Sequence, residues 1–215
     1  MSRKNLEPKL KHIAVEFFHH LPYSAIGVGA AFGIVLALEK IGWEQTPLLQ
    51  FHLTHPLHLF LSAIVTSAMF WKHEHKVAKG IIVGILGTIP LCTMSDIIFP
   101  FFGARLMGTT LPLHICLLRE PVMVLSATGL GIAAGFLLVR WLDHITEFTH
   151  MLHVLVSSLA SLLYLITFDQ TLWQSAVAAT FIITLIAVWV PCCLSDIVFP
   201  LAFTSEIAPH EPHFH

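Results

Sequence analysis

A short polar motif occurs twice in this chain, each time within a long apolar stretch. Ser95-Asp96 and Ser195-Asp196 are each preceded by one proline and followed, four residues after the aspartate, by another. A carboxylate near the centre of a bilayer costs roughly 2.5–3.5 kcal/mol on insertion scales, so it usually faces the protein interior and has a function. Because proline interrupts helical hydrogen bonds, the motif predicts two Pro-broken membrane helices that each carry a buried polar site.

The composition is that of an integral membrane protein with several spans. Hydrophobic residues make up 56% and charged residues 11% of the 215 residues, whereas a soluble domain is about 25% charged. The first apolar run is long enough to span a bilayer, so we expect no cleaved signal peptide and a location in a bacterial inner membrane. The near-neutral net charge of −2 says nothing about nucleic acid, and since no basic aromatic stripe suggests it, we expect no nucleic acid partner. Since a span needs about 20 residues, we predict about six transmembrane helices, at residues 18–38, 48–71, 79–102, 121–141, 147–168 and 174–203.

An internal repeat relates the two halves of the chain. The Ser-Ala-x-Gly-x-Gly pattern at residues 24–29 recurs at 126–131, and the Thr-His-x-Leu-His pattern at 54–58 recurs at 149–153. Because each half has three spans, the second half enters the membrane from the opposite side. This arrangement gives two inverted three-helix repeats, an architecture typical of secondary transporters. The predicted divisions are a first repeat (1–103), a linker or re-entrant segment (104–120), a second repeat (121–204) and a His-rich tail (205–215).

Small residues recur along the first and fourth predicted spans. Such residues let helix backbones approach closely, so we expect a packing seam between these two helices and assign it no chemistry. The glycines concerned are Gly27, Gly29, Gly33, Gly129, Gly131 and Gly135.

Basic residues set the expected orientation, because cytoplasmic loops carry an excess of lysine and arginine. With a cytoplasmic N-terminus, the inner side holds most of the 11 basic residues. We therefore expect both termini to be cytoplasmic. The inner residues are Arg3, Lys4, Lys9, Lys11, Lys72, Lys76, Lys79 and Arg140, and the outer ones are Lys40, Arg105 and Arg119.

Histidine pairs in the second and fifth spans lie at the predicted depth of the repeated aspartates. His55 and His58 share a helix face because they are three residues apart, and an antiparallel neighbour places Asp96 beside them. The inverted copy supplies a second, separate set on the inner side. Imidazole suits zinc, iron and nickel, and carboxylate suits manganese, so we expect divalent Zn, Mn, Fe, Ni or Co as a substrate rather than a resident cofactor. The predicted metal ligands are His55, His58, Asp96, His150, His153 and Asp196, and the further ion-binding residues are Ser95, Ser195, Cys92 and Cys193.

Other interpretations of these residues stay open. The histidines can hydrogen-bond to the aspartates simply to satisfy buried polarity. Serine, aspartate and histidine also form intramembrane metal-dependent hydrolase sites, but such an enzyme needs one asymmetric site, whereas every candidate ligand here is duplicated. A bis-histidine haem between the second and fifth helices conflicts with the opposite depths predicted for His55 and His150. The His-rich tail either binds metal loosely or is a solvated end.

Three short segments carry a family resemblance: 89–92 (Ile-Pro-Leu-Cys), 96–99 (Asp-Ile-Ile-Phe) and 108–112 (Gly-Thr-Thr-Leu-Pro). They resemble the permease-like heavy-metal exporters, a group that includes proteins labelled arsenic-efflux permeases or manganese transporters. The resemblance implies an efflux permease. With the repeat, it leads us to expect a secondary transporter that exports a divalent metal in exchange for protons. We expect it not to be an enzyme, and we expect a bilayer-embedded monomer or homodimer.

Overall fold

All regular secondary structure in the described part of the chain is helical. The computed structural model describes residues 15, 17–41, 47–109, 111–142, 146–168 and 176–204. The predicted all-α fold is therefore confirmed, while the His-rich tail lies outside the described residues. In chain order the helices are α1 (Leu21–Lys40), α2 (Pro47–His73), α3 (Val77–Thr93), α4 (Phe99–Leu106), α5 (Cys116–Arg119), α6 (Pro121–Leu142), α7 (Thr146–Phe168), α8 (Val177–Cys193) and α9 (Phe199–Phe203).

Five helical stretches are long and apolar enough to cross a membrane, which confirms the predicted class of integral membrane protein. The remaining predicted span, 147–168, forms α7, in which the shorter apolar helix Met151–Thr167 is described. Six spans and their inverted arrangement stay predictions. The five stretches are Phe17–Lys40, Leu48–His73, Val77–Leu106, Pro121–Val139 and Val177–Phe203.

The helices place large apolar side chains outside and small polar ones inside. Ile26, Leu130 and Ile182 are more than half exposed, whereas Ser62 and Thr66 are fully buried. In water, apolar surface on this scale would drive association. In a bilayer it contacts lipid, and the buried hydroxyls find partners within the protein.

The helix that carries Asp96 does not break at its prolines. It passes from α3 into α4 through a π-helical turn, Met94–Ile98, in which the Phe99 N–H bonds to the carbonyl five residues earlier. Pro100 follows immediately and has no N–H to continue the ladder. A second π-helical turn, Leu194–Val198, joins α8 to α9 in the same way. The expected proline break is therefore a local widening of a continuous helix.

Each π-helical turn leaves one backbone carbonyl without a partner on its own helix. The Ser95 carbonyl loses the Phe99 N–H to the residue before it, and the next position is proline, which has no N–H to offer. Ser161 Oγ of α7 donates to this carbonyl at 2.9 Å, and Thr66 Oγ1 of α2 donates to the Ser195 carbonyl at 3.1 Å. A hydroxyl from a neighbouring helix therefore holds each motif in place.

Among the glycines of the predicted seam, Gly27, Gly131 and Gly135 make close helix contacts, but not between the helices expected. A Cβ at Gly131 of α6 would overlap the Phe60 carbonyl of α2, and a Cβ at Gly27 of α1 would lie 2.9 Å from Val154 Cγ1 of α7. The expected seam between the first and fourth spans is therefore wrong, since the first packs on the fifth and the fourth on the second. Small residues mark a close approach without specifying which helix approaches.

The segment between the two halves folds back onto the bundle. Gly108, with φ +86°, turns the chain after α4, in a conformation that glycine adopts without strain. The Tyr164 hydroxyl of α7 donates to the Pro112 carbonyl at 2.9 Å and accepts from the His114 N–H at 3.3 Å. Cys116, at the start of α5, is fully buried. The predicted linker is thus anchored to α7.

Candidate metal centre

Asp96 is fully buried and accepts hydrogen bonds from four side chains. His55 Nδ1 and His58 Nδ1 donate to its Oδ2 atom at 2.8 and 2.7 Å. Ser95 Oγ and Ser157 Oγ donate to its Oδ1 atom at 2.7 and 2.9 Å. These donors offset the desolvation cost of a buried carboxylate. The structure thus brings together the first predicted set of two histidines and an aspartate.

The second motif joins the same network. His153 Nδ1 donates to Asp196 Oδ2 at 2.6 Å, while the side chain of His150 lies outside the described residues. His58 Nε2 and His153 Nε2 are only 2.6 Å apart, so the expectation of two separate sites at different depths is wrong. His58 lies nearly one helical turn after His55 in α2, and His153 holds the corresponding position after His150 in α7.

Serine contacts cross between the two halves in both directions. Ser62 Oγ lies 2.9 Å from Ser195 Oγ, and Ser157 Oγ lies 3.3 Å from Ser95 Oγ. In the repeat, Ser62 corresponds to Ser157, and Ser95 corresponds to Ser195. Such reciprocal pairing of equivalent residues is what a two-fold relationship produces. The centre therefore lies at the junction of the two halves.

Two buried cysteines supply sulfur next to the histidine pair. The Sγ atom of Cys92 lies within 4.8 Å of the ligand nitrogens of His58 and His153. Cys192 Sγ lies 3.7 Å from His58 Nε2. The sequence pointed instead to Cys193, which is also buried. Cys192 precedes its aspartate by four residues, as Cys92 does, so a strict reading of the repeat register identifies it.

The hydrogen bonds decide which atoms remain for a metal. Because a carboxylate only accepts, the Nδ1 atoms of His58 and His153 carry the protons, and their Nε2 atoms present lone pairs. Carboxylates that bind histidine in this way orient the imidazole towards a metal. A second group, His55, His58 and Asp96, consists of atoms already joined by these hydrogen bonds. The donor set that fits a metal is therefore His58, Cys92 and His153.

The distance between the two Nε2 atoms distinguishes a shared proton from a shared metal. Two nitrogen ligands 2.0–2.1 Å from a tetrahedral ion lie about 3.3 Å apart. His58 and His153 are at 2.6 Å, a hydrogen-bond distance. Since both Nδ1 atoms are donors, this contact needs one extra proton between the rings. A metal needs the two nitrogens about 0.7 Å further apart, and it takes the place of that proton.

Several residues of the network were not predicted as site residues. They follow the histidines on the same helix face, four and eight residues later. Ser62 and Thr66 follow His58 in α2, and Ser157 and Ser161 follow the equivalent histidine in α7. A stripe of His-x-x-x-Ser-x-x-x-Ser/Thr, present in both halves, is the sequence signal that identifies them.

Two of the three segments that resemble heavy-metal exporters reach this centre. Cys92 belongs to the first segment and Asp96 to the second, while the third, 108–112, lies in the anchored linker, with Thr110 outside the described residues. The resemblance itself stays a prediction, because no protein-family model, no curated protein and no solved structure matches the chain.

Proposed function

We propose that this protein is a secondary transporter that exchanges a divalent transition metal for protons across the membrane. One observation carries the proposal: His58 and His153 meet at a proton-sharing distance of 2.6 Å, and each is oriented by a buried aspartate. The metal is substrate, so its ligands bind and release it in every cycle.

The donor set narrows the class of ion. Two imidazoles and a thiol from Cys92, with Cys192 beside them, favour zinc, nickel, cobalt or ferrous ions over manganese or magnesium, which prefer oxygen ligands. Each ligand must lose a proton, or give up a shared one, before the ion binds. Metal binding therefore opposes proton binding, which is the coupling that an exchanger requires.

The repeat supports an alternating-access mechanism. In inverted-repeat transporters the substrate binds near the bilayer midplane, where the repeats meet. The contacts between Ser62 and Ser195 and between Ser157 and Ser95 join the two halves of the chain at this centre, which supports such a mechanism. Export, with both termini cytoplasmic, follows from the distribution of basic residues and from the exporter resemblance.

The test is metal flux in proteoliposomes that contain the purified protein. We expect Zn²⁺ or Co²⁺ transport that speeds up when an opposing proton gradient is imposed. Asp96→Asn should abolish it, whereas His75→Gln, at an exposed histidine outside the centre, should not change it. Metal flux that changes neither with the proton gradient nor in the Asp96→Asn variant would refute the proposal. If the protein instead hydrolyses peptides or esters, and Asp96→Asn abolishes that hydrolysis, the hydrolase interpretation is favoured.

A further inference from the structure

A second group of metal-binding side chains lies apart from the central network. His52 of α2, His114 of the anchored linker and Cys116 of α5 offer ligand atoms that all lie within 4.8 Å of one another. The two histidines are partly exposed, while the cysteine is fully buried. None of these three residues contributes to the hydrogen bonds around Asp96.

The geometry of this group matches a metal more closely than the central pair does. His52 Nε2 and His114 Nε2 are 3.3 Å apart, the separation of about 3.3 Å that two nitrogens adopt on a tetrahedral zinc ion. A cysteine sulfur completes three protein ligands. The fourth position is left for water, the pattern of zinc sites that exchange what they bind.

The group is held rigidly although its members come from distant parts of the chain. Tyr164 binds the linker backbone on both sides of Leu113, through Pro112 O and His114 N. Phe51 is fully buried, with its ring 5.5 Å from that of Tyr164 and 6.5 Å from that of His114. Pre-organised ligands lower the cost of binding.

The same phenylalanine connects this group to the centre. The Phe51 ring stacks on His55, with ring centroids 5.4 Å apart and planes 16° from parallel. His52 precedes His55 by three residues, so about 4.5 Å of helix rise, nearly one turn, separates the two levels. An ion released by the group is therefore one turn away from the network around Asp96.

We propose that a second binding site for zinc or a similarly thiophilic divalent ion lies next to the central site, nearly one turn of α2 away. Its ligands are His52, His114 and Cys116. Binding at this site stands on its own geometry. Its role, which is to pass ions to or from the centre on that side of the membrane, rests on the proposed function.

The protonation of these residues is compatible with such a site. Burial, together with neighbouring His52 and Arg119, lowers the pKa of His114, which favours its neutral, metal-binding form. Burial raises the pKa of Cys116 to about 12. The thiol thus keeps its proton until an ion that binds sulfur strongly displaces it.

The repeat does not reproduce this group in the other half. Its counterparts by repeat alignment are His12, Ala14 and Glu147, whose side chains lie outside the described residues. A thiol is replaced by a methyl group and an imidazole by a carboxylate. The thiol-containing site therefore belongs to one end of the proposed transport pathway alone, so the two ends of the repeated scaffold bind metal differently.

The test is a Co²⁺ titration of the full chain in detergent, read by the sulfur-to-cobalt charge-transfer band. In a Cys92→Ser/Cys192→Ser background we expect the band to persist and to disappear on adding Cys116→Ser. His52→Gln and His114→Gln should each weaken that binding at least about tenfold, and His75→Gln should leave it unchanged. Should the background variant fail to fold, the wild-type chain should bind one ion more than His52→Gln/His114→Gln.

Two results would overturn the second site. One is a charge-transfer band that Cys116→Ser leaves intact in monodisperse protein, and the other is equal stoichiometry with and without the two histidines. If Asp96→Asn still abolishes transport in either case, the proposed function stands and only the second site fails. Conversely, intact binding at Cys116 in a protein that transports no metal would leave the site standing and remove its role in transport.

Discussion

His58 and His153 occupy equivalent positions in the two halves of the chain, and their Nε2 atoms lie 2.6 Å apart. The opposite nitrogen of each ring is bonded to an aspartate of its own half. Two neutral imidazoles tied in this way would direct lone pairs at each other. The pair therefore attracts a cation, and the distance selects a proton over a metal.

Metal binding should release the proton that the two histidines share. Calorimetric titration of Zn²⁺ in buffers of different ionisation enthalpy should show about one proton more released by the wild-type chain than by His153→Gln. Binding should weaken as pH falls, because protons compete for the same lone pair. Equal proton release by the two proteins would contradict the shared-proton assignment.

Asp96→Asn and Asp196→Asn should each abolish transport while the protein still folds. An asparagine keeps one oxygen acceptor and removes a buried charge whose insertion cost is roughly 2.5–3.5 kcal/mol. Because its amide can also donate to Nδ1, it no longer fixes the tautomer that leaves Nε2 free for the metal. Expression level and monodispersity on gel filtration provide the control. Aggregation of both variants would instead mean that the aspartates serve the fold.

Cys192→Ser should weaken the binding of a thiophilic ion such as Cd²⁺ by at least about tenfold, because its sulfur lies 3.7 Å from His58 Nε2. The adjacent Cys193→Ser is the matched control and should have a smaller effect. Equilibrium binding of Cd²⁺ to the two purified variants measures the difference. The reverse order would favour Cys193, as the sequence suggested.

Ser161→Ala and Thr66→Val should each lower stability by about 1 kcal/mol, because each removes the hydroxyl that serves an orphan carbonyl in a π-helical turn. Thr167→Val is the control, since Thr167 Oγ1 donates at 2.7 Å to Leu163 O within its own helix. That carbonyl keeps its helical partner. The free energy of unfolding in detergent should be lower for Ser161→Ala and Thr66→Val than for Thr167→Val. Equal unfolding free energies for the three variants would contradict the role of the hydroxyls.

Membrane topology can be checked by labelling single cysteines from each side of sealed vesicles. Glu44→Cys and His75→Cys flank α2, whose apolar stretch Leu48–His73 is long enough to cross the membrane. We expect Glu44→Cys to be labelled from outside and His75→Cys, at an exposed position, from the cytoplasmic side. The unsubstituted chain gives the background of its buried cysteines. Labelling of both from one side would exclude the inverted-repeat topology.

Local sequence features were sufficient to predict the helices and the proximity of His55, His58 and Asp96. The apolar length predicts spans, and the three-residue spacing of His55 and His58 places both on the face that meets Asp96. The meeting of His58 with His153 could not be predicted in this way. It depends on the depth at which α2 and α7 cross, and residue counts from span ends do not give that depth.

The form of the proline distortion also depends on tertiary structure. Pro100 predicts lost backbone hydrogen bonds, but not whether the helix opens or widens. A widened helix is tolerated because Ser161 reaches across from another helix to the Ser95 carbonyl. Likewise His52 and His114 are 62 residues apart, and no spacing along the chain indicates that the linker returns to α2.

The glycine contacts determine which helices can move together. Gly131 presses the backbone of α6 against the Phe60 carbonyl of α2, and Gly27 lets α1 pack closely on Val154 of α7. Each tight pair takes one helix from each half of the chain. A rigid-body motion that parts His58, in α2, from His153, in α7, must therefore separate these two mixed pairs. In the proposed transport cycle, the moving bodies would then be these mixed pairs rather than the two repeats, and the distance between the two imidazoles would report the movement.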